Sequence, residues 1–258
     1  MGCNPLFSGD LFDEGKWCPP EEFDYYVRRF QSLFYVDEAK TKIHVMAGNH
    51  DIGFHYSVTP YLDKRFRDAF KTDAVEFKVI NRVPFVMINS MAMEGDGCFL
   101  CKSAIRSLKR VKDKLKNNNG SQIEVVRPIL MSHFPLYRKS DVHCDEPDEA
   151  PADEKSVQFR EGWDCISKES SGLLLEDLQP RLIFSGHTHH GCNTSHGDVA
   201  EISVSSFSWR NKKKPAFVLA YFTDESHAIT KCYMPHENSV YSAYVFFITL
   251  AVFSLCKK

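Results

Sequence analysis

Four times along this chain an apolar, strand-like run stops and a metal-capable side chain follows almost at once. It happens at LFSGDLFDEG (6–15), IHVMAGNHD (43–51), PILMSHFPLYR (128–138) and RLIFSGHTHH (181–190). In open α/β architectures the carboxyl ends of sheet strands are where side chains from distant parts of the chain converge. Glycine just before the polar residue lets the backbone turn sharply and approach closely. The donors on offer are oxygens of Asp10 and Asn49 and the imidazoles of His133, His187 and His189. This mixed oxygen and nitrogen set suits manganese, iron or zinc better than calcium or a thiolate-preferring metal. Each piece alone has an ordinary reading: a turn or helix cap for Asp10, an Asx-turn for Asn-His-Asp, a core histidine at 133, a surface loop at 186–189. Four such sites, each at a strand end, are hard to obtain without a shared cation.

The remaining pattern is also α/β. Pro19-Pro20 opens a helix with Phe23, Tyr26, Val27, Phe30 and Phe34 on one face, and VEFKVI and VPFVMIN flank Asn81-Arg82 as a hairpin. The basic stretch KSAIRSLKRVKDKLK (102–116) places Ile105, Leu108, Val111 and Leu115 on a core-facing side, with a solvated lysine face opposite. A helix is expected around 166–178, and VAEISVS, AFVLAYF and AITKCYM read as three successive short strands. The acidic, proline-interrupted segment 141–154 reads as a solvated loop. With 258 residues and 43% apolar content the chain can bury the core of one large domain. Its net charge of -2 gives no reason to expect a nucleic-acid partner.

The C-terminus differs in kind. VYSAYVFFITLAVFSLC (240–256) carries no charge and, at about 1.5 Å per residue, reaches roughly 26 Å, enough to cross most of a bilayer. Tyr241 and Tyr244 at one end and Lys257-Lys258 at the other suit an aromatic interface and a cytoplasmic basic flank, which places the folded domain on the lumenal or extracellular side. The opening residues MGCNPLFSGD show neither the charged n-region nor the apolar h-region of a signal peptide, so the start is expected to be truncated. Nine cysteines and Asn-X-Ser/Thr sites at Asn119 and Asn193 agree with an oxidising compartment. For Cys98 and Cys101 a local disulfide is favoured over zinc, because no second cysteine pair stands at matching spacing.

The blocks GDLFDEG, GNHD, SH within LMSHFPLYR, and GHTH resemble those of the calcineurin-like metallophosphoesterases. The resemblance implies an α/β fold of two facing mixed β-sheets flanked by helices, an αββα sandwich over residues 1–235, followed here by a transmembrane anchor at 236–258. It implies that Asp10 bridges two metal ions, that Asn49, His133 and His187 complete one site, and that His189 belongs to the other. The family pattern also has an Asp-X-His block upstream, which has no counterpart in the eight residues before Gly9. One metal site is therefore expected to be incomplete. The longer blocks AGNHDIGFHY, GDGC, HFPLYR and SFSWRN resemble membrane-anchored members that trim glycosylphosphatidylinositol (GPI) anchors. They imply manganese as cofactor, with zinc or iron as substitutes. They also imply GPI glycolipid or GPI-anchored proteins as substrate, and the endoplasmic reticulum, its exit sites and the Golgi as location.

Family chemistry asks for cations that activate water for in-line attack on phosphorus and for an acid that protonates the leaving alkoxide. His50, beside the ligands but not among them, is the expected acid, since an ordinary histidine pKa near about 6.5 makes the role reachable at neutral pH. Asp51 is expected to orient its ring and favour the protonated form.

Overall fold

The computed structural model describes residues 3–117 and 126–256. Its first strand, β1 (Leu6–Phe7), lies parallel to β2 (His44–Val45), joined through helix α1 (Pro20–Leu33). The apolar stripe read from the sequence turns Phe23 and Phe30 of α1 into a core with Val45, Ala47 and Ile52, and Phe7 joins edge-to-face with Phe30. A short helix α2 (Asn49–Ile52) follows, then α3 (Pro60–Phe70), capped by the Thr59 hydroxyl and contributing Phe66 to the same core. The sequence reading passed over α3.

Next come β3 (Val75–Ile80) and β4 (Val83–Ile88), an antiparallel hairpin. The turn residues Asn81 and Arg82 have φ of 49° and 70°. Left-handed geometry at both positions is what a two-residue hairpin turn requires. Helix α4 (Phe99–Asn117) leads to β5 (Ile129–Ser132), and a short helix α5 (Ala152–Lys155) and α6 (Lys168–Leu178) lead to β6 (Leu182–Ser185). The chain then forms β7 (Cys192–His196), β8 (Val199–Ser203) and the antiparallel pair β9 (Ala216–Phe222) and β10 (His227–Tyr233).

The main sheet has the order β3-β4-β5-β6-β8-β7, with β4, β5, β6 and β8 mutually parallel. Its central strands are buried on both faces, so they read as unbroken apolar runs. Alternate side chains still divide cleanly. Val86, Ile88, Leu130 and Ile183 face a core shared with α4 and α6, while Phe85, Met87, Ile129, Met131, Leu182 and Phe184 face a second core. That second core is closed by Leu6 and Met46 from the β1–β2 side and by Val218, Phe222 and Ile229 from β9–β10. The facing sheet is thus built from two small two-stranded pieces, and the αββα layering expected from the sequence holds.

Two expectations need correction. Ile105 is 49% exposed, because the buried stripe of α4 runs through Leu100, Ala104, Leu108 and Val111 instead. The acidic segment is not simply solvated: Asp141, Cys144, Asp148 and Ala150 are buried, and a Cys144–Cys192 disulfide fastens the segment to β7. Asp141 holds the buried Arg138 at 2.7 Å, and Asp148 pairs with Lys231 at 2.9 Å. Burial of paired charges, not acidity alone, decides where this segment lies. Cys98 and Cys101 pair as expected. Asn193 is exposed on the edge strand β7, whereas Asn119 and Lys257-Lys258 lie outside the described residues.

The last helix, α7 (Glu237–Cys256), is long and apolar enough to cross a membrane, with mean hydropathy 1.9 and none of its apolar window buried against the domain. Phe246, Phe247, Ile248 and Phe253 stand free on its surface. Replacing Phe247 by Asp should cost roughly 3 kcal/mol of insertion free energy. We expect F247D to shift the chain from alkali-washed membranes toward the soluble fraction; unchanged membrane retention would show that α7 does not anchor it.

Candidate metal centre

All four strand ends named above belong to parallel pairs, β1 with β2 and β5 with β6, so within each pair the following residues emerge on one edge. Gly9 has φ of 100°, and a Cβ there would sit 2.6 Å from His133 Nδ1 and 2.8 Å from the Gly48 Cα. A Cβ on Gly48 would fall 2.1 Å from Asp10 Oδ1. Only glycine lets the β1 and β2 ends close to this distance.

The side chains delivered this way meet. His133, 2% exposed, donates from Nδ1 to the Ser8 carbonyl at 2.6 Å. Without a cation Nε2–H donates toward Asn49 Oδ1 at 3.0 Å and Asp10 Oδ2 at 3.2 Å, and loss of that proton presents a lone pair in its place. His187 donates from Nε2 to the Trp163 carbonyl at 2.7 Å, which leaves Nδ1 as a buried lone pair with no hydrogen-bond partner. The ligand atoms of Asp10, His133 and His187 lie within 4.8 Å of one another. Once His133 gives up its Nε2 proton, acceptors converge here without a donor, one of them already orphaned, which fits a divalent cation held by Asp10, Asn49, His133 and His187. Asp10 and His187 both hold left-handed backbone, at φ of 52° and 67°, a strain that tends to collect at functional sites.

His189 has the same backbone twist, at φ of 61°, but among the described residues no close group of three metal-capable side chains includes it. Burial lowers its pKa and His133 and His190 add to the effect, while Asp10 opposes it, so it remains in electrostatic reach of the cluster.

His50 is placed by its backbone and its ring separately. Its N–H donates to Asp10 Oδ1 at 2.9 Å. Its ring Nδ1 donates to the Asp13 carbonyl at 2.8 Å, with the Asp13 carboxylate 3.5 Å away. The expectation that Asp51 orients this ring is therefore corrected. The buried Asp51 carboxylate accepts instead from the backbone N–H groups of Gly48, at 2.8 Å, and Phe12, at 3.0 Å, bracing the two glycine turns against each other. Burial and the neighbouring Asp10 charge push its pKa up to about 7. The sequence reading missed Asp13, although it stands inside the GDLFDEG block, because the local pattern does not reveal which carboxylate faces which ring. It also missed Lys16, where burial lowers the pKa against the pull of Asp10, Asp13 and Asp51. Arg210 pairs with Asp13 and closes the rim.

Burial pulls Asp10 upward, but the His133 charge and hydrogen bond outweigh it and hold the carboxyl well below the usual range. Burial tends to discharge His133, yet Asp10 raises its pKa overall. His187, buried and beside His133, is pushed down to about 3 and stays neutral.

The sequence pattern of the calcineurin-like phosphoesterases matches residues 6–191. Proteins named metallophosphoesterase 1 from Macaca fascicularis and Xenopus laevis are each 43% identical to this chain over 92% of its length. The chain spans 62% and 63% of those relatives. Among solved structures, a phosphopantetheinyl hydrolase from Mycobacterium tuberculosis aligns with 81% of this chain and 80% of its own, at 14% identity and a TM-score of 0.43.

Two outcomes test the cluster. Gly48→Ala should drive a methyl into Asp10 and lower metal affinity by more than about tenfold, read by elemental analysis after dialysis. The depressed pKa of His187 means that the unfolded chain carries the extra proton below about pH 6.5, so metal-free stability is full above that pH and declines toward pH 3. In denaturant titrations, His187→Gln should flatten that slope by up to about 1.4 kcal/mol per pH unit. An identical slope would remove His187 from the buried set.

Proposed function

This chain belongs to the calcineurin-like phosphoesterase family, and on that premise we propose that it is a metal-dependent phosphodiesterase removing ethanolamine phosphate from a mannose of the GPI glycan. On this reading the domain faces the lumen of the endoplasmic reticulum and Golgi, acts on GPI glycolipid or GPI-anchored proteins, and assists their transport between the two. The observation that carries the hydrolase assignment is the convergence of Asp10, Asn49, His133 and the orphaned Nδ1 of His187. We assign manganese to these donors, with zinc or iron as chemically admissible substitutes. When bound, a divalent cation supplies charge against the phosphoryl oxygens and lowers the pKa of the attacking water.

The chain's own residues supply the rest. Asn49 adds an oxygen donor without adding charge. His50, its Nδ1 held by the Asp13 carbonyl with the Asp13 carboxylate 3.5 Å away, has Nε2 left to protonate the departing mannose oxygen. Arg210 at the rim is suited to a phosphoryl oxygen in exchange for Asp13. Related protein phosphatases carry a phosphate-gripping arginine where this chain has the exposed Glu14, which disfavours phosphoprotein monoesters.

The rim is tied to the anchor, which supports a substrate met at a bilayer. Strand β10 ends at Tyr233 and α7 begins at Glu237, and Trp209, next to Arg210, donates its indole N–H to the Pro235 carbonyl at 3.0 Å. A second reading is a single-ion form of the same domain with little turnover, favoured by the position of His189 outside the close cluster. The alternative substrates are nucleotide or lipid phosphodiesters.

Purified chain assayed side by side on ethanolamine-phosphate-bearing GPI, alkyl and aryl diesters, and nucleotides separates these readings. We expect activity on the GPI substrate and about one tightly held ion per chain; hydrolysis of nucleotides alone would sink the substrate assignment, and two tight ions the single-ion form. His50→Gln should slow alkoxide-leaving substrates by about 10²–10⁴-fold, yet leave an aryl diester with a good leaving group within about tenfold of wild type. Equal losses on both would remove His50 as the acid.

A further inference from the structure

A second set of metal-capable side chains lies away from Asp10, where the turn after α2 meets the start of α4. His55 Nε2, an Asp96 carboxylate oxygen and the sulfurs of Cys98 and Cys101 all fall within 4.8 Å of one another. Nothing in the reaction described above uses them.

The surroundings favour ligation over coincidence. His55 donates from Nδ1 to the Met91 carbonyl at 2.8 Å and from Nε2 to Asp96 Oδ2 at 2.8 Å, so a cation taking the place of the Nε2 proton would find both ligand atoms already facing each other. A carbonyl on the far nitrogen is the usual orienting partner of a metal-binding histidine. Asp96 sits between Gly95 and Gly97, both at φ near 75° (75° and 74°), so the loop doubles back and brings its other oxygen 3.3 Å from Cys101 Sγ. The Cys98 sulfur lies at the start of α4 and accepts the Cys101 N–H at 2.8 Å. An amide donor and the positive end of a helix both stabilise thiolate. A tetrahedral zinc site of one nitrogen, one oxygen and two sulfurs has ligand–ligand edges of roughly 3.3–3.8 Å, which this cluster can adopt with small side-chain rotations. The other cysteine-containing group, Asp141 with Cys144 and Cys192, offers less, since Asp141 is already committed to Arg138.

We propose that His55, Asp96, Cys98 and Cys101 form a second, redox-gated site for a zinc-class divalent cation, open when the Cys98–Cys101 disulfide is reduced and closed when it is formed. Two electrons from a thiol or phosphine reductant break the S–S bond and yield two thiols. Binding of the cation then releases their two protons, together with the Nε2 proton of His55, to solvent. Oxidation and cation binding exclude each other, because the same sulfur electron pairs serve both. In either state the cluster clamps the segment just beyond His50 to the first turn of α4. The proposal does not rest on the diesterase reading, because the two clusters share no residue.

Cobalt(II) tests it, since only thiolate ligands give cobalt its near-ultraviolet charge-transfer band and the Asp10 cluster has none. The detergent-solubilised full chain is reduced with a trialkylphosphine under argon, cleared of excess reductant and titrated with cobalt. We expect one more cobalt per chain than in the oxidised protein, together with the thiolate band. Both should be absent from the Cys98→Ser/Cys101→Ser double variant, and His55→Gln should weaken the extra site by about tenfold or more. The proposal is overturned by a reduced chain lacking the band, by a band that survives the double variant and so belongs to the reduced Cys144 and Cys192 or to a free thiol such as Cys18 or Cys165, or by unchanged affinity in His55→Gln. Loss of the folded circular dichroism spectrum in the unreduced Cys98→Ser/Cys101→Ser variant overturns it too, by showing the pair to be a structural disulfide, since that variant keeps Cys144–Cys192 intact.

Discussion

The His133 ring joins the two sheets at the point where the metal-capable side chains of the strand ends converge. One nitrogen holds the Ser8 carbonyl beyond β1, and the other faces Asp10 and Asn49 beyond β1 and β2. The contact spans 125 residues of sequence. It can form only because Gly9 and Gly48 carry no Cβ where the strand ends touch. Everything else at the site is positioned relative to that ring: His187 packs with its centroid 5.1 Å away, and His50 is held through its N–H on Asp10.

Charge is arranged around this ring so that each carboxylate has a separate task. Asp10 carries its negative charge into the cluster, stabilised by His133. Asp51, deeper and next to Asp10, is spent on two backbone N–H groups and holds the glycine turns in register. Asp13, half-exposed at the rim, is free to address the His50 ring and Arg210. Depth decides the allocation: a fully buried carboxylate needs fixed donors, whereas one near water can tolerate a partner that comes and goes.

The rim residues link this centre to the two flanking devices of the domain. On one side Trp209 and Arg210 bridge from the base of α7 to Asp13, so the long apolar helix and the His50 ring are linked through one loop. On the other, Phe54 packs 4.9 Å from Trp163, whose carbonyl orients His187, and His55 immediately follows Phe54 into the Cys98–Cys101 cluster. The segment 49–55 therefore touches the metal centre with one end and the cysteine pair with the other.

Much of this was legible in the sequence because it is local. Short apolar runs, the Asn81-Arg82 turn, the stripe of α1 and the uncharged C-terminal stretch 240–256 each follow from neighbouring residues and covalent geometry. The strand-end pattern even named Asp10, Asn49, His133 and His187 as residues that should meet. What the tertiary structure alone decided is which polar group faces which: that Asp13 and not Asp51 serves His50, that His189 stands apart, that Ile105 faces water, and that Cys144 reaches Cys192 from inside an acidic loop. Pairing of this kind depends on depth, rotamer and distance between segments far apart in sequence, and residue identity sets none of these until the layers have packed.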